Sequence, residues 1–178
     1  GNNNVTGNNL TIYSQLSNGY GVYLHNIGTS MNSNIIQSNT IDIPAASSGY
    51  GVYLSNFGTS NSNTIQSNTI NITVASSGLG VYSFNSGTSN SNIIYNQTIN
   101  VYSSATSSGF KSWGIYLANI DLSNISLSRI NATKTGSASA SDVYLDSGSS
   151  GNVFYDNTLL GTNWSTYIVN SGGTNNTF

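Results

Sequence analysis

The strongest constraint on the fold of this chain is a repeat of about thirty residues. Residues 21–43 read GVYLHNIGTSMNSNIIQSNTIDI, and residues 51–72 read GVYLSNFGTSNSNTIQSNTINI. Each copy holds short stretches of alternating apolar and polar residues separated by Gly, Ser and Asn, which is typical of strands joined by turns. One unit cannot bury its apolar side alone, but stacked units can. We therefore predict one all-β domain over residues 1–178, a parallel β-solenoid with about six coils of three short strands.

The repeat also predicts which side chains stack in columns when strands of successive coils pair in parallel. The Val of the Gly-Val-Tyr-Leu marker, or its equivalent, falls at Val22, Val52, Val81, Ile115, Val143 and Tyr167, and the first five of these side chains should point inward. The inward column that follows it contains Leu24, Leu54, Phe84, Leu117 and Leu145. A third inward column contains Ile41, Ile70, Ile99, Ile130 and Leu159, and it follows a predicted inward Asn ladder of Asn39, Asn68 and Asn157.

This pattern resembles a known family. Residues 51–70 contain Gly-Val-Tyr-Leu-x-Asn and then Asn-x-Ile-x-x-Asn-x-Ile, as do the Asn-rich, pectate-lyase-like coils of right-handed parallel β-helix repeat proteins. The resemblance covers nearly the whole chain and implies the fold. It does not imply one function, because this architecture is shared by polysaccharide lyases, adhesins, phage tailspikes and surface proteins.

The low charge of the chain agrees with a stacked architecture. Only 4% of the residues are charged and the net charge is −2. A charge repeated in one column would meet its own sign in both neighbouring coils, which destabilises the stack.

The composition also excludes several kinds of partner and site. So few Lys and Arg residues exclude a basic surface for nucleic acid. We also expect no membrane insertion, since no apolar run of ~18 residues occurs, and the lack of Cys excludes disulfides and thiolate metal sites.

Outward positions suggest two kinds of surface. An aromatic ladder is predicted from Tyr23, Tyr53, Tyr82, Tyr116 and Tyr144, and it would bind glycans or contact a neighbouring filament. A column of Thr40, Thr69, Thr98 and Thr158 is compatible with ice binding, although Arg129 interrupts this column. An insertion at about residues 107–114, containing Phe110-Lys111-Ser112-Trp113, is expected to bulge from the stack.

The two ends of the sequence are complementary in pattern. With Gly1 placed after Phe178, the residues Phe178-x-x-Asn3-x-Val5 match Ile65-x-x-Asn68-x-Ile70. We therefore expect a head-to-tail joint made by Phe178, Val5, Asn3, Gly1 and Tyr167, and an open filament of copies. The chain begins without Met, which indicates a processed chain or part of a longer one. A segment of a long surface solenoid therefore remains an alternative.

Candidate chemistry is sparse. Asp142, Asp146 and Asp156 are weak calcium candidates, since calcium takes clustered oxygen ligands, and we predict no resident cofactor and no catalytic residues. His25, the single His, is predicted to lie on the surface. Sequons for glycosylation begin at Asn4, Asn9, Asn71, Asn96, Asn124, Asn131, Asn163 and Asn175.

These patterns together predict a structural protein at the cell surface or outside the cell. Its copies would add strands to one another to form a filament, a sheath or a surface layer. The alternatives are a glycan-binding adhesin segment and a polysaccharide lyase or hydrolase.

Overall fold

The computed structural model describes residues 2–14, 17–26, 30–31, 33–57, 59–60, 62–86, 92–161 and 166–178. Within these residues the structure is an all-β parallel solenoid with three long sheets and no helix. Each long sheet has six strands, one from each coil. The predicted fold class is therefore confirmed, as is the resemblance to parallel β-helix repeat proteins.

Strands are numbered in chain order. The first sheet contains β1 (Asn4–Thr6), β5 (Ile35–Gln37), β9 (Thr64–Gln66), β12 (Ile93–Tyr95), β15 (Asn124–Ser126) and β18 (Val153–Tyr155). The second contains β2 (Asn9–Thr11), β6 (Thr40–Ala46), β10 (Thr69–Val74), β13 (Thr98–Ser103), β16 (Arg129–Lys134) and β19 (Thr158–Leu159). The third contains β3 (Asn18–Asn26), β7 (Ser48–Asn56), β11 (Gly78–Asn85), β14 (Lys111–Ala118), β17 (Ser139–Leu145) and β20 (Thr166–Asn170). A short pair is formed by β4 (Ser30–Met31) and β8 (Thr59–Ser60).

The predicted inward columns form the core. Val52, Val81 and Ile115 pair in register and are 0% exposed. Ile70 and Ile99 are buried to the same degree in the second sheet. Since β-branched side chains pack well on a pleated surface, each coil buries its Val and Ile against the coils on either side. The repeat thus creates one continuous core along the axis.

Two assignments within the repeat are wrong. Ser83, not Phe84, lies between Leu54 and Leu117, while Phe84 pairs with Ser55 on the other side of the strand. Ile168, not Tyr167, pairs with Val143 at the marker position, and Tyr167 is 55% exposed. Both assignments are one residue away from the register that the structure shows, and a shift of one residue in a strand moves a side chain to the opposite face.

The predicted Asn ladder is confirmed for Asn39 and Asn68 at the turn between the first and second sheets, whereas Asn157 is half-buried and accepts from the backbone N–H of Ser128. Asn39 Nδ2 donates to Asn68 Oδ1 at 3.0 Å, and both side chains are 1% exposed. Asn68 Nδ2 donates in turn to Gln97 Oε1 at 3.2 Å and to the carbonyl oxygen of Ile36 at 3.0 Å. The ladder therefore saturates buried backbone groups that the turn leaves without strand partners.

A second Asn ladder, which was not predicted, lies where the chain passes from the third sheet to the first. Asn3, Asn34, Asn63 and Asn92 follow one another there, with amide-to-amide distances of 2.8–2.9 Å. The signal was present, because Asn precedes β5, β9 and β12 at the same distance. Two corners of each of these coils are thus held by stacked amides.

The expected insertion differs in position. Lys111, Ser112 and Trp113 belong to β14 and do not bulge, because Ser112 and Trp113 pair in register with both β11 and β17, and Lys111 pairs with Ser139 of β17. The extra residues lie at 104–110, before this strand, and Phe110 among them is 38% exposed. Trp113 is only 4% exposed.

Candidate binding surfaces

The outer face of the third sheet carries the predicted aromatic ladder. Successive ring centroids lie 5.0 Å apart for Tyr23 and Tyr53, and 4.7 Å apart for Tyr53 and Tyr82. Tyr82 and Tyr116 are also 4.7 Å apart, with ring planes 3° from parallel. Tyr144 meets Tyr116 edge to face at 5.3 Å. The strand spacing of the sheet therefore sets a nearly ideal stacking distance for phenol rings.

A second aromatic column adjoins the ladder. Tyr20 stacks on Tyr23 of its own strand at 5.1 Å and on Tyr50 of the next coil at 4.9 Å. Trp113 stacks on Tyr144 at 4.0 Å, and Lys111 Nζ lies 4.4 Å from the centroid of the Trp113 ring. Strict alternation does not predict this column, because it places residues three apart on opposite faces of a strand.

The stacked faces of these rings are already in contact with other rings. Burial, with smaller contributions from Asp146 and Tyr144, raises the pKa of Tyr116 to about 12. Burial likewise raises the pKa of Tyr82 above its ordinary value. A sugar that stacks on aromatic rings needs a free face, and within this stack the faces of Tyr82 are covered from both sides. The geometry of the ladder therefore favours a structural role over ring-stacking recognition of glycans.

The predicted calcium candidates do not share a site. Asp142 is 0% exposed, and its carboxylate accepts hydrogen bonds from the backbone N–H groups of Ala132 at 2.7 Å and Gly161 at 2.8 Å. Burial raises its pKa, although these hydrogen bonds oppose the shift. Asp146 instead accepts from backbone N–H groups of its own turn and of the preceding coil, and Asp156 is exposed. Among the described residues, no group of three or more His or acidic side chains is placed to hold a metal ion.

The single histidine lies within an aromatic surface rather than beside an acid. His25 is exposed and stacks on Tyr23 at 5.6 Å, and it meets Phe57 edge to face at 5.6 Å. Its surface position agrees with the sequence prediction. The arrangement supplies no acid or base pair of the kind that glycoside hydrolysis requires.

The end faces of the described solenoid expose parts of the core columns. At the N-terminal face, Val5, Leu10 and Leu24 pack against the core but remain half-buried. At the opposite face, Leu159 and Ile168 are half-buried in the same way. A cavity of about 420 Å³ opens there, lined by Val143, Phe154, Asn157, Leu159, Ile168 and Phe178 among others.

The predicted joint between these faces has the wrong register at the N-terminal coil. Val5 pairs with Ile36, whereas Leu10 pairs with Ile41 and takes the place predicted for Val5. Asn3 correspondingly joins the ladder before the first sheet rather than the Asn39 ladder. Gly1 lies outside the described residues. The predicted alignment therefore places Val5 in the column that Leu10 occupies, and it leaves out the residues of the turn before β2.

The C-terminal residues lie in the equivalent part of the last coil. Phe178 stacks on Phe154 at 5.1 Å, and Asn176 Oδ1 accepts from Asn152 Nδ2 at 3.0 Å. Thr177 forms a parallel bridge with Val153 of β18. Residues 176–178 thus occupy the place in a coil that residues 3–5 occupy at the other end, so the two segments duplicate one another.

The outer face of the second sheet presents three polar columns. The first is the predicted column of Thr40, Thr69, Thr98 and Thr158, with Arg129 in register. The second column consists of Asp42, Asn71, Asn100 and Asn131. The third consists of Pro44, Thr73, Tyr102 and Thr133. Pro44, Tyr102 and Arg129 break the regular Thr lattice that ice binding would need.

The sequons differ in accessibility. Asn4, Asn9, Asn96, Asn124 and Asn175 are exposed. Asn71 and Asn131 are half-buried in the polar face of the second sheet. Asn163 lies outside the described residues.

Comparison with known proteins gives no functional assignment: no family model, no curated protein and no solved structure matches the chain. The part of the chain that the structure describes contains no helix with the length and hydrophobicity needed to cross a membrane.

Proposed function

We propose that this chain is a structural protein at the cell surface or outside the cell, whose copies stack end to end into a filament, sheath or surface layer. The observation that carries the proposal is that both end faces present the same columns. Leu10 and Leu159 belong to one column, and Val22 and Ile168 belong to another. A copy in the same orientation therefore extends the second and third sheets without a change of register.

Strand addition would stabilise such a contact in two ways. The outer strands of each end coil have one edge without a sheet partner among the described residues, and a parallel strand satisfies that edge. The half-buried Leu10, Leu24, Leu159 and Ile168 would also lose their remaining contact with water. Burial of apolar surface contributes roughly 25 cal/mol per Å². A contact of one end with the opposite end does not close on itself, so it continues as a filament.

The first sheet imposes a further condition on the joint. When β2 of one copy pairs with β19 of the next, β1 needs the place that residues 176–178 occupy. One of the two segments must leave before the other can bind. Assembly then proceeds by strand replacement, in which Asn3 accepts the hydrogen bond from Asn152 that Asn176 accepted.

The experiment is to compare Leu10→Asp with Asn9→Asp by electron microscopy and light scattering of the purified chain. Both changes add one carboxylate to β2, but Leu10 packs on the core, whereas Asn9 is exposed and pairs with the neutral Thr40. We expect long assemblies for the unchanged chain and for Asn9→Asp, and single particles or short oligomers for Leu10→Asp. A buried unpaired charge is strongly destabilising, which gives the contrast.

Mixing provides a second readout. A Leu10→Asp copy retains its C-terminal face, so a small fraction of it should arrest growth of the unchanged chain. An unchanged chain that stays monodisperse as single particles, or assemblies of equal length for both variants, would contradict the proposed function.

A further inference from the structure

The outer face of the second sheet contains a groove that follows the solenoid axis. Two adjoining cavities of about 300 Å³ and about 370 Å³ share Asn71 and Thr73 in their linings. They extend from Thr11 in β2 to Thr133 in β16. Five strands at the usual spacing give a length of ~19 Å. This groove is separate from the aromatic stack and from the C-terminal end face, and it begins at β2, the outermost strand of the second sheet at the N-terminal end.

One wall of the groove is a ladder of amides. Asn71 Nδ2 donates to Asp42 Oδ1 at 2.7 Å, and Asn100 Nδ2 donates to Asn71 Oδ1 at 2.9 Å. A side-chain amide carries two N–H donors and two acceptor positions, so ladder bonds leave donors and acceptors for a ligand. Asn131 Oδ1 is buried and has no hydrogen-bond partner. Leu160, next in this column, has no side-chain N–H to offer it.

Two tyrosines stand along the other wall. Tyr102 lies between Thr73 and Thr133 in its column, and Tyr13 is 78% exposed beside Pro44. Among the described residues neither ring packs on another aromatic ring, in contrast to the rings of the third sheet. The Tyr102 hydroxyl lies 3.3 Å from Thr135 Oγ1, which orients its ring. These rings therefore have faces on which an apolar surface of a ligand can pack.

The charge of the groove selects against ionic ligands. Asp42 is the single carboxylate in its lining, and no Lys or Arg lines it among the described residues. A polyanion would find no cation, and burial of unpaired charge is costly. Side-chain amides and hydroxyls bind neutral hydroxyl groups without that penalty.

We propose that this groove binds an extended neutral glycan, aligned with the solenoid axis. The C–H face of one sugar ring packs on Tyr102, and hydroxyl groups bond to the accessible parts of the side-chain amides of Asn71, Asn100 and Asn131. A surface that repeats at every coil, ~4.8 Å, suits a ligand that is itself a repeating polymer. The site requires no assembly of copies, so it stands independently of the proposed function.

The test is a glycan array probed with the full chain, produced without glycosylation because Asn71 and Asn131 begin sequons. The array carries neutral linear oligosaccharides and, beside them, uronic acid oligosaccharides. We expect binding to neutral oligosaccharides only. Tyr102→Ala and Asn100→Leu should each weaken it about tenfold, the effect of losing one good contact.

Thr98→Val is the matched control, because Thr98 lies outward on the same strand as Asn100 but outside the groove lining. Circular dichroism and thermal unfolding establish that each variant is folded, and Tyr102→Phe, which keeps the ring, should retain most binding. The proposal is overturned if no neutral oligosaccharide binds, or if only uronic acids bind. It is also overturned if Tyr102→Ala and Asn100→Leu bind the glycan as tightly as Thr98→Val does. A change in contacts between copies without a change in glycan binding would likewise overturn it.

Discussion

At the scale of single residues, glycine decides how the third sheet bends. Gly21, Gly51, Gly80 and Gly114 occupy one column between the outward Tyr20 column and the inward Val22 column. A Cβ atom at Gly51 would lie 2.4 Å from Ile70 Cγ2 and 2.6 Å from the carbonyl oxygen of Gly80. Because the backbone of one coil approaches the next so closely here, both aromatic columns can face outward.

Gly51→Ala should therefore destabilise the fold. The added methyl group must displace either the Ile70 side chain or the backbone of the next coil, and overpacking of this kind costs about 1–3 kcal/mol. Chemical denaturation would measure the change in the free energy of unfolding. Gly109→Ala serves as the control, since its new Cβ would meet nothing closer than Ser107 Oγ at 3.9 Å. Equal stability of the two variants would refute the close approach at Gly51.

At the scale of elements, three successive turns between the first and second sheets combine a left-handed residue with a buried amide. Ser38, Ser67 and Asn96 have φ of 53–55° and directly precede Asn39, Asn68 and Gln97. The left-handed residue turns the chain sharply, so the next side chain points inward. The buried amide then bonds to the backbone of the preceding coil, which compensates for the strained backbone.

Asn68→Ala should open this turn. The substitution leaves the backbone N–H of Asn39 and the carbonyl oxygen of Ile36 buried without their partner. Each unsatisfied buried group costs about 1–3 kcal/mol, so the variant should lose several kcal/mol of stability in a denaturant titration. Asn68→Gln is the control with a smaller expected loss, because Gln97 performs the same task one coil later. A neutral result for Asn68→Ala would show that the ladder does not stabilise the solenoid.

At the scale of the whole molecule, the aromatic stack runs across five coils and links them on one face. Its phenols are partly buried, and burial is the main cause that raises the pKa of Tyr50, Tyr53 and Tyr82 as well as that of Tyr116. The stack is therefore a feature that all these coils build together. It places polar hydroxyl groups outward while the rings cover the sheet.

Alkaline pH should unfold the protein through this stack. Below the ordinary tyrosine pKa of 10.0 the phenols are neutral in both states, and their contribution to stability is fully present. As pH rises towards the folded-state pKa of Tyr116, about 12, the unfolded chain releases protons first and the free energy of unfolding falls. Tyr116→Phe keeps the ring but removes the titrating group, so its stability should fall less steeply above pH 10.0. Denaturant titration at each pH would measure the free energy of unfolding of both proteins. Equal slopes of that free energy against pH would contradict this assignment.

The sequence predicted the features that follow from the two-residue period of a strand and from the repeat of about thirty residues. The inward columns through Val52 and Ile70, the outward Tyr ladder and the Asn39–Asn68 ladder all follow from spacing, and all are present. The errors arose where a residue was placed one position out of register, as for Phe84 and Tyr167. They also arose where a turn changed length, as before β2 and before β14.

The sequence by itself determined the architecture, because a repeat that alternates apolar and polar residues can bury its apolar face only by stacking on its own copies. Only the tertiary structure decided which residues share a surface. The bend at Gly51 brings Tyr50 and Tyr53 to the same face, with their rings 5.5 Å apart. The parallel pairing of β6, β10 and β13 aligns Asp42, Asn71 and Asn100 into one groove wall. The contacts along the groove wall join residues about thirty positions apart, and their geometry depends on backbone turns that composition and spacing do not fix.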